Sequence, residues 1–124
     1  MAAELNVSVI AELTGLGMSQ TFIKKGADGT TPTAATYNYR VLATTNTAEA
    51  LDLGDISTVT CIIIYAIDYD LDIDCDFVSS FDADLTAKAG EIPAIITNPA
   101  GTVYVKNNGT GETPAYEYLV VGTT

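Results

Sequence analysis

Acidic and apolar residues alternate without interruption from residue 68 to residue 77, in the order Asp-Tyr-Asp-Leu-Asp-Ile-Asp-Cys-Asp-Phe. A period of two indicates a β-strand, because successive side chains leave opposite faces of a pleated backbone. A helix, with 3.6 residues per turn, would spread the acids around its whole surface. We therefore predict a strand whose inward face is formed by Leu71, Ile73, Cys75 and Phe77.

Short alternating or apolar segments recur along the chain between turn residues rich in Gly, Pro and Asn. They predict strands at residues 5–13, 19–25, 36–44, 59–65, 71–81, 95–96, 103–105 and 116–121. No window carries a helical apolar stripe long enough to predict a helix. The predicted class is all-β, an antiparallel, jelly-roll-like β-sandwich of about seven to nine short strands. Residues 1–124 are expected to form a single domain, with residues 1–15 as an N-terminal arm or exchanged strand.

Composition favours a folded protein with an acidic surface. The 124 residues are 48% hydrophobic, and 16 acids against 5 bases give a formal net charge of -11. A chain of this length can bury a core without disulfides or metals. The negative charge of the protein repels phosphate, so we do not expect nucleic acid as a partner. We expect a basic protein surface instead.

Localisation and cysteine chemistry follow from simple features of the chain. The N-terminus lacks the basic and apolar regions of a signal peptide, and the longest apolar run, residues 61–67, is too short to span a membrane. We expect synthesis in the cytoplasm and no membrane contact. Cys61 and Cys75 fall on apolar strand positions, which favours buried thiols, with a cross-strand disulfide as the alternative if their strands pair.

Catalysis has little support in the sequence. The chain contains no His and no Trp. The absence of His removes Ser-His-Asp and Cys-His catalysis and the commonest general base near neutral pH. Paired carboxylates also serve glycosidases. Those enzymes usually bind the sugar against Trp side chains, and this chain has no Trp. We therefore expect no enzymatic activity and no cofactor.

The aspartate row has two further interpretations. Carboxylates suit hard cations, but an EF-hand loop beginning at Asp68 fails, because Ile73 and Ser79 occupy its sixth and twelfth positions. Alternate residues of a strand also lie roughly 6.5–7 Å apart, too far to share one ion without bending. The less favoured metal ligands are Asp70, Asp72 and Asp74. The favoured interpretation is an acidic face turned to solvent or a partner, with interface candidates Asp72, Asp74 and Asp76.

The N-terminal strand is a second candidate interface. Its side chains carry few charges, and an unprotected strand edge invites pairing with another chain. The expected contact residues are Leu5, Val7 and Val9. We predict association through this strand, either in a homo-oligomer, for which we expect a trimer, or with a neighbouring protein.

The order of elements over residues 50–122 resembles small β-sandwich structural proteins of tailed bacteriophages, including capsid decoration or cement proteins. The resemblance rests on segments 50–54 (ALDLG), 61–70 (CIIIYAIDYD), 85–91 (LTAKAGE), 103–106 (VYVK) and 115–122 (AYEYLVVG). The row of Asp72, Asp74 and Asp76 departs from it, since uncharged polar residues are commoner there.

This resemblance implies a non-enzymatic virion protein, assembled in the host cytoplasm, that bridges and stabilises major capsid protein subunits. Its partners would be the major capsid protein or other virion proteins. The alternatives are a tail, baseplate or head-fibre component, or a β-sandwich module that binds cations or glycans.

Overall fold

The computed structural model describes residues 3–17 and 19–124. In that part of the chain the regular structure is all β, which confirms the predicted class. No helix there is long and apolar enough to cross a membrane. The strands are β1 Asn6–Leu13, β2 Gln20–Ala27, β3 Ala34–Val41, β4 Glu49–Ala50, β5 Thr58–Ala66, β6 Leu71–Phe77, β7 Leu85–Ala87, β8 Ala94–Thr97, β9 Thr102–Asn107 and β10 Ala115–Thr123.

The chain divides into two units after Pro32. In the first, β1 and β2 form an antiparallel hairpin in continuous register from Asn6↔Ala27 to Leu13↔Gln20. The first two residues of the arm predicted at residues 1–15 lie outside the described residues, and the rest of it contains β1, which pairs with β2.

The second unit, residues 33–124, is an antiparallel sandwich of two four-stranded sheets. The order β3-β10-β5-β8 defines one sheet, called here the β3 sheet, and β4-β9-β6-β7 defines the other, the β6 sheet. Apart from the step from β6 to β7, every connection between consecutive strands changes sheet. This order is that of a jelly roll, in which two Greek keys are wrapped into one body.

The core lies between the two sheets of the sandwich. The β3 sheet contributes alternate residues of β5 and β10, and the β6 sheet contributes alternate residues of β6 and β9. Its fully buried members include Ile62, Ile64, Leu71, Ile73, Val105, Tyr116, Tyr118 and Val120. The rings of Tyr116 and Tyr118 stack with their centroids 5.8 Å apart.

The predicted inward face of β6 is confirmed at its start and wrong at its end. Leu71 and Ile73 are both 0% exposed, and Cys75 packs, half-buried, against the core. The pairing of β6 with β9 shifts register between Asp74 and Phe77. Such an irregularity re-aims the side chains that follow it. Phe77 accordingly stacks on Tyr104, at 3.8 Å between ring centroids, instead of continuing the inward face.

The two cysteines are held in different sheets. Cys61 lies on β5 in the β3 sheet and is 5% exposed, whereas Cys75 lies on β6 in the β6 sheet. The chain between β5 and β6 therefore crosses from one sheet to the other and does not form a hairpin. The strand pairing that a cross-strand disulfide would need is not present.

Candidate functional site

The first two aspartates of the alternating row are loop anchors that precede β6. The amide of Ala115 donates to Asp68 Oδ1 at 2.7 Å, and the amide of Ala89 donates to Asp70 Oδ1 at 2.8 Å. The amide of Ala89, together with the ammonium of Lys88 at 3.3 Å, holds the pKa of Asp70 below its usual value. These two carboxylates connect the β5–β6 turn to distant segments.

Asp74 is also an anchor, and the prediction that it faces solvent or a partner is wrong. Its side chain is 1% exposed. The amide of Asp76 donates to Oδ1 at 3.0 Å, and the amide of Asp82 donates to Oδ2 at 2.9 Å. The bond from the Asp82 amide is the main cause that lowers the pKa of Asp74. The loop that follows β6 reaches back to this carboxylate, so Asp74 is not available to a docking partner.

Asp74, Asp76 and Asp84 form the acidic cluster of this region. One carboxylate oxygen of each lies within 4.8 Å of the others. Asp84 Oδ2 accepts a hydrogen bond from the Cys75 amide at 2.8 Å. The pKa of the exposed Asp76 is raised, first by its hydrogen bond with Asp74 and then by the negative charge of Asp84. The crowding of like charges therefore disfavours ionisation at Asp76.

The metal ligands predicted from sequence are not brought together. Asp70 anchors the Ala89 loop, and Asp72 Oδ1 accepts hydrogen bonds from Thr86 Oγ1 at 2.7 Å and Asn108 Nδ2 at 3.1 Å. The three carboxylates that do lie together are those of Asp74, Asp76 and Asp84. Asp84 comes from the segment before β7, so the period-two pattern of residues 68–77 could not indicate it. Because its oxygens already accept backbone amides, the arrangement is that of a loop anchor.

A polar depression of about 330 Å³ lies beside Asp72 on the sandwich. Asn107 closes its base by donating to Asn46 Oδ1 at 2.9 Å and to the Gly109 carbonyl at 2.6 Å, while its own Oδ1 accepts the Asn46 amide at 2.6 Å. Lys106 lies 5.7 Å from the centre of the Phe81 ring. The polar groups of Asn107, Asn46 and Gly109 hydrogen-bond to one another. They therefore hold neighbouring loops together and are not free to bind a ligand.

The hairpin presents the largest apolar side chains of the N-terminal unit to solvent. Among the residues predicted for its interface, Leu5 and Val7 are half-buried and Val9 is 39% exposed. Sequence reasoning missed the more exposed members, two of which lie on β2. They are Ile10 at 64%, Leu13 at 45%, Leu16 at 74%, Phe22 at 56% and Ile23 at 61%. The signal is present in the sequence, because residues 19–25 are predicted to be a strand.

The register of the hairpin sorts these side chains onto two faces. Cross-strand partners share a face in an antiparallel pair. Ala11 therefore lies beside Phe22 on one face, which also carries Val7, Val9 and Leu13. Ile10 lies beside Ile23 on the other, which is otherwise mostly polar. Neither face is covered enough to be a core.

Protein-family models, curated proteins and solved structures contain no match to this chain. The sandwich has a closed apolar core, and most aspartates of its acid row anchor loops. The hairpin leaves Ile10, Phe22 and Ile23 more than half exposed.

Proposed function

We propose that the chain is a non-enzymatic structural protein of a virion, specifically a capsid decoration or cement protein that bridges and stabilises major capsid protein subunits. The observation that carries this proposal is the exposed hairpin β1–β2. An isolated two-stranded hairpin is at best marginally stable in water. This one leaves Ile10, Phe22 and Ile23 more than half exposed. Docking on another protein would cover them.

The jelly-roll order of the sandwich supports the same class of protein. Jelly rolls are a recurrent architecture of viral capsid and lectin domains. Fold alone does not assign function, so this support is by analogy. It is compatible with the resemblance of residues 50–122 to phage structural proteins and with a chain that contains no His.

Charge favours the hairpin as the docking element. Residues 1–32 contain two lysines and three acids, whereas residues 33–124 contain three cations and thirteen acids. The formal charges are therefore -1 and -10. A nearly neutral apolar hairpin can be buried without desolvating many acids. In the described residues β1 and β2 each have a single strand neighbour, so an outer edge of either can also accept a strand from a capsid subunit.

The test is co-sedimentation with capsid shells that lack the chain, prepared from the source of this sequence. The chain is expected to bind at a fixed stoichiometry. Phe22→Asp, which places a charge on the apolar face of the hairpin, is expected to lower occupancy at least tenfold. Val78→Asp is the matched control, because Val78 is 87% exposed on the sandwich. Shells that never bind the wild-type chain, or that bind Phe22→Asp as well as wild type, would refute the proposal.

A tail, baseplate or head-fibre position is the alternative within the same class. It would use the same hairpin on a different virion surface. An image reconstruction of the particle distinguishes the two, since decoration places many copies on the capsid lattice, whereas the alternatives place few copies at a vertex or on the tail.

A further inference from the structure

The outward side of the β3 sheet is apolar across all four strands. One cross-strand row runs Tyr37–Leu119–Ile63–Ile95, from edge to edge. The next runs Tyr39–Glu117–Tyr65 over three strands. We call this surface the tyrosine face.

The tyrosine face departs from the usual pattern of an antiparallel sandwich, in which one side of each sheet packs on the core and the other is polar. The alternate residues of the same strands are the buried core, for example Ile64 and Tyr118 at 0% and 1% exposure. On the outward side Tyr37 and Tyr39 are each 62% exposed, and Ile95 is 43% exposed. Tyrosine adds contact area with a polar tip and is enriched at protein interfaces.

The tyrosine face also carries very little charge. Within its two rows the only carboxylate is that of Glu117, which accepts a hydrogen bond from the Tyr37 hydroxyl. The outward side of the β6 sheet, by contrast, carries Asp72 beside Lys106, with Asp76 near its end. A chain of net charge -11 thus keeps one broad face almost neutral.

We propose that the tyrosine face binds a second copy of this chain, face to face about a two-fold axis. A basic partner would be drawn to the acidic surfaces, whereas a neutral apolar face is complemented by another neutral apolar face. Two-fold symmetry lets one patch serve both sides of the contact. The contact is independent of the hairpin and of capsid binding.

Electrostatic repulsion between the two copies is weak enough to allow this arrangement. Packed sheets lie about 10 Å apart. Two sandwiches joined through their tyrosine faces would hold their β6 sheets at opposite ends, roughly 30 Å apart. That exceeds the Debye length of about 8 Å at physiological ionic strength severalfold, so the outer acids of the two copies are screened from each other. A pairing through the outward sides of the β6 sheets would instead bring the Asp72 and Asp76 carboxylates of the two copies together.

The size of the face sets the strength of the contact. Seven positions in two rows, with strands about 4.8 Å apart and rows about 7 Å apart, give roughly 240 Å² per copy. The total, near 500 Å², is well below the roughly 1,200–2,000 Å² of a standard stable interface. The dimer is therefore weak, monomeric at about 1 μM and increasingly populated towards about 1 mM. The two Glu117 carboxylates would meet near the axis and weaken it further.

Sedimentation velocity of the full chain over a concentration series tests this proposal. Wild type is expected to show a monomer–dimer equilibrium. Tyr39→Asp adds a charge to the face and is expected to leave only monomer. Tyr69→Asp is the matched control, because Tyr69 is 42% exposed in the β5–β6 turn, and it is expected to dimerise as wild type does. Glu117→Gln is expected to tighten the dimer at least about threefold by removing like charges.

Four results would overturn the proposal. Wild type could remain monomeric up to about 1 mM. Dimerisation could persist in Tyr39→Asp, or weaken in Glu117→Gln as it would if Glu117 met a cation. It could also disappear in Phe22→Asp, which would assign self-association to the hairpin. Because no capsid shell is used, none of these results bears on the proposed virion role.

Discussion

The strands of the N-terminal hairpin nearly match the longest strands of the sandwich in length, yet only the sandwich makes a core. Strands β1 and β2 have eight residues each, and all of these except Val7 are exposed. Strands β5 and β10 have nine residues each and bury most of theirs. The contrast shows that strand pairing and apolar content do not by themselves produce a buried face, which requires a second layer.

The energetic consequence is large. A backbone hydrogen bond exchanged with water contributes only about 0.5–1.5 kcal/mol net. A fully buried aliphatic side chain contributes roughly 1.5–3 kcal/mol. The sandwich is stabilised by many buried aliphatic side chains, whereas the hairpin depends mainly on its backbone hydrogen bonds. If the comparison is right, matched changes in the two units should have very different effects.

The largest difference is expected from placing a charge at matched isoleucines. Ile73→Asp buries a carboxylate at a position that is 0% exposed in the core, and the sandwich should no longer fold cooperatively. Ile10→Asp makes the same chemical change at a position that is 64% exposed in the hairpin, and the melting temperature of the sandwich should remain unchanged. Thermal melts followed by circular dichroism measure both. A wild-type melting temperature for Ile73→Asp would invalidate the register of β6.

Hydrogen exchange should resolve the same contrast in the unmodified protein. Amides of β5 and β10 lie in the centre of the β3 sheet and should exchange only through global unfolding. Amides of β1 and β2 should exchange through local opening, at rates at least about 10³-fold faster, given a typical stability of 5–15 kcal/mol for a domain. Mass spectrometry of peptides from each strand provides the measurement. Equal protection of the two units would show that the hairpin is stabilised within the isolated chain.

The sequence was most informative where the pattern is local and regular. The alternation through Leu71 and Ile73 predicted a strand and its buried face, and the turn residues between segments predicted an all-β sandwich. The jelly-roll order could not be predicted, because partners such as β3 and β10 are about eighty residues apart and any pairing satisfies the same local pattern. Strands β4 and β7, of two and three residues, are too short to leave a periodic signal.

The candidate site was predicted less well for a related reason. A strict period of two assigns Asp74 to the solvent side, but the irregularity after it and the returning Asp82 amide bury its carboxylate. Asp84 joins the cluster from a separate segment. The exposed apolar side chains of the hairpin were partly foreseen from β1, and whether they form an interface remains a prediction.

A smaller difference is expected from matched glycines. A Cβ at Gly122, in β10, would overlap the Thr58 carbonyl oxygen and lie 2.8 Å from the Ile56 Cγ2 methyl. Gly122→Ala should therefore cost about 1–3 kcal/mol through overpacking. A Cβ at Gly26, in β2, meets nothing within 4 Å, so Gly26→Ala should be close to neutral. Denaturant titration of both variants is the measurement, and a neutral Gly122→Ala would mean that β10 has room to move at this point.

The smallest effects, and the most specific, concern the two neighbouring acids Asp74 and Asp76. Asp74 has its pKa lowered in the folded state, so the stability it adds is complete above its unfolded pKa of about 3.9 and is lost as the pH falls through its lower folded pKa. The pKa of Asp76 is raised, so its contribution has the opposite sign and is lost as the pH rises through its folded pKa. At neutral pH one carboxylate should therefore stabilise the fold and the other should oppose it.

Asparagine substitutions separate the two acids. Asp74→Asn replaces one acceptor by an NH2 group that faces a backbone donor, so the melting temperature at pH 7 should fall. The difference from wild type should shrink as the pH is lowered below about 4, because the unfolded state then takes up a proton that the folded state resists. Asp76→Asn removes a crowded charge at an exposed position, and its melting temperature at pH 7 should equal or slightly exceed that of wild type. Melting temperatures from pH 3 to pH 8 decide the matter, because an Asp74→Asn profile that overlies wild type throughout would mean that Asp74 is solvated like the exposed residues of the hairpin.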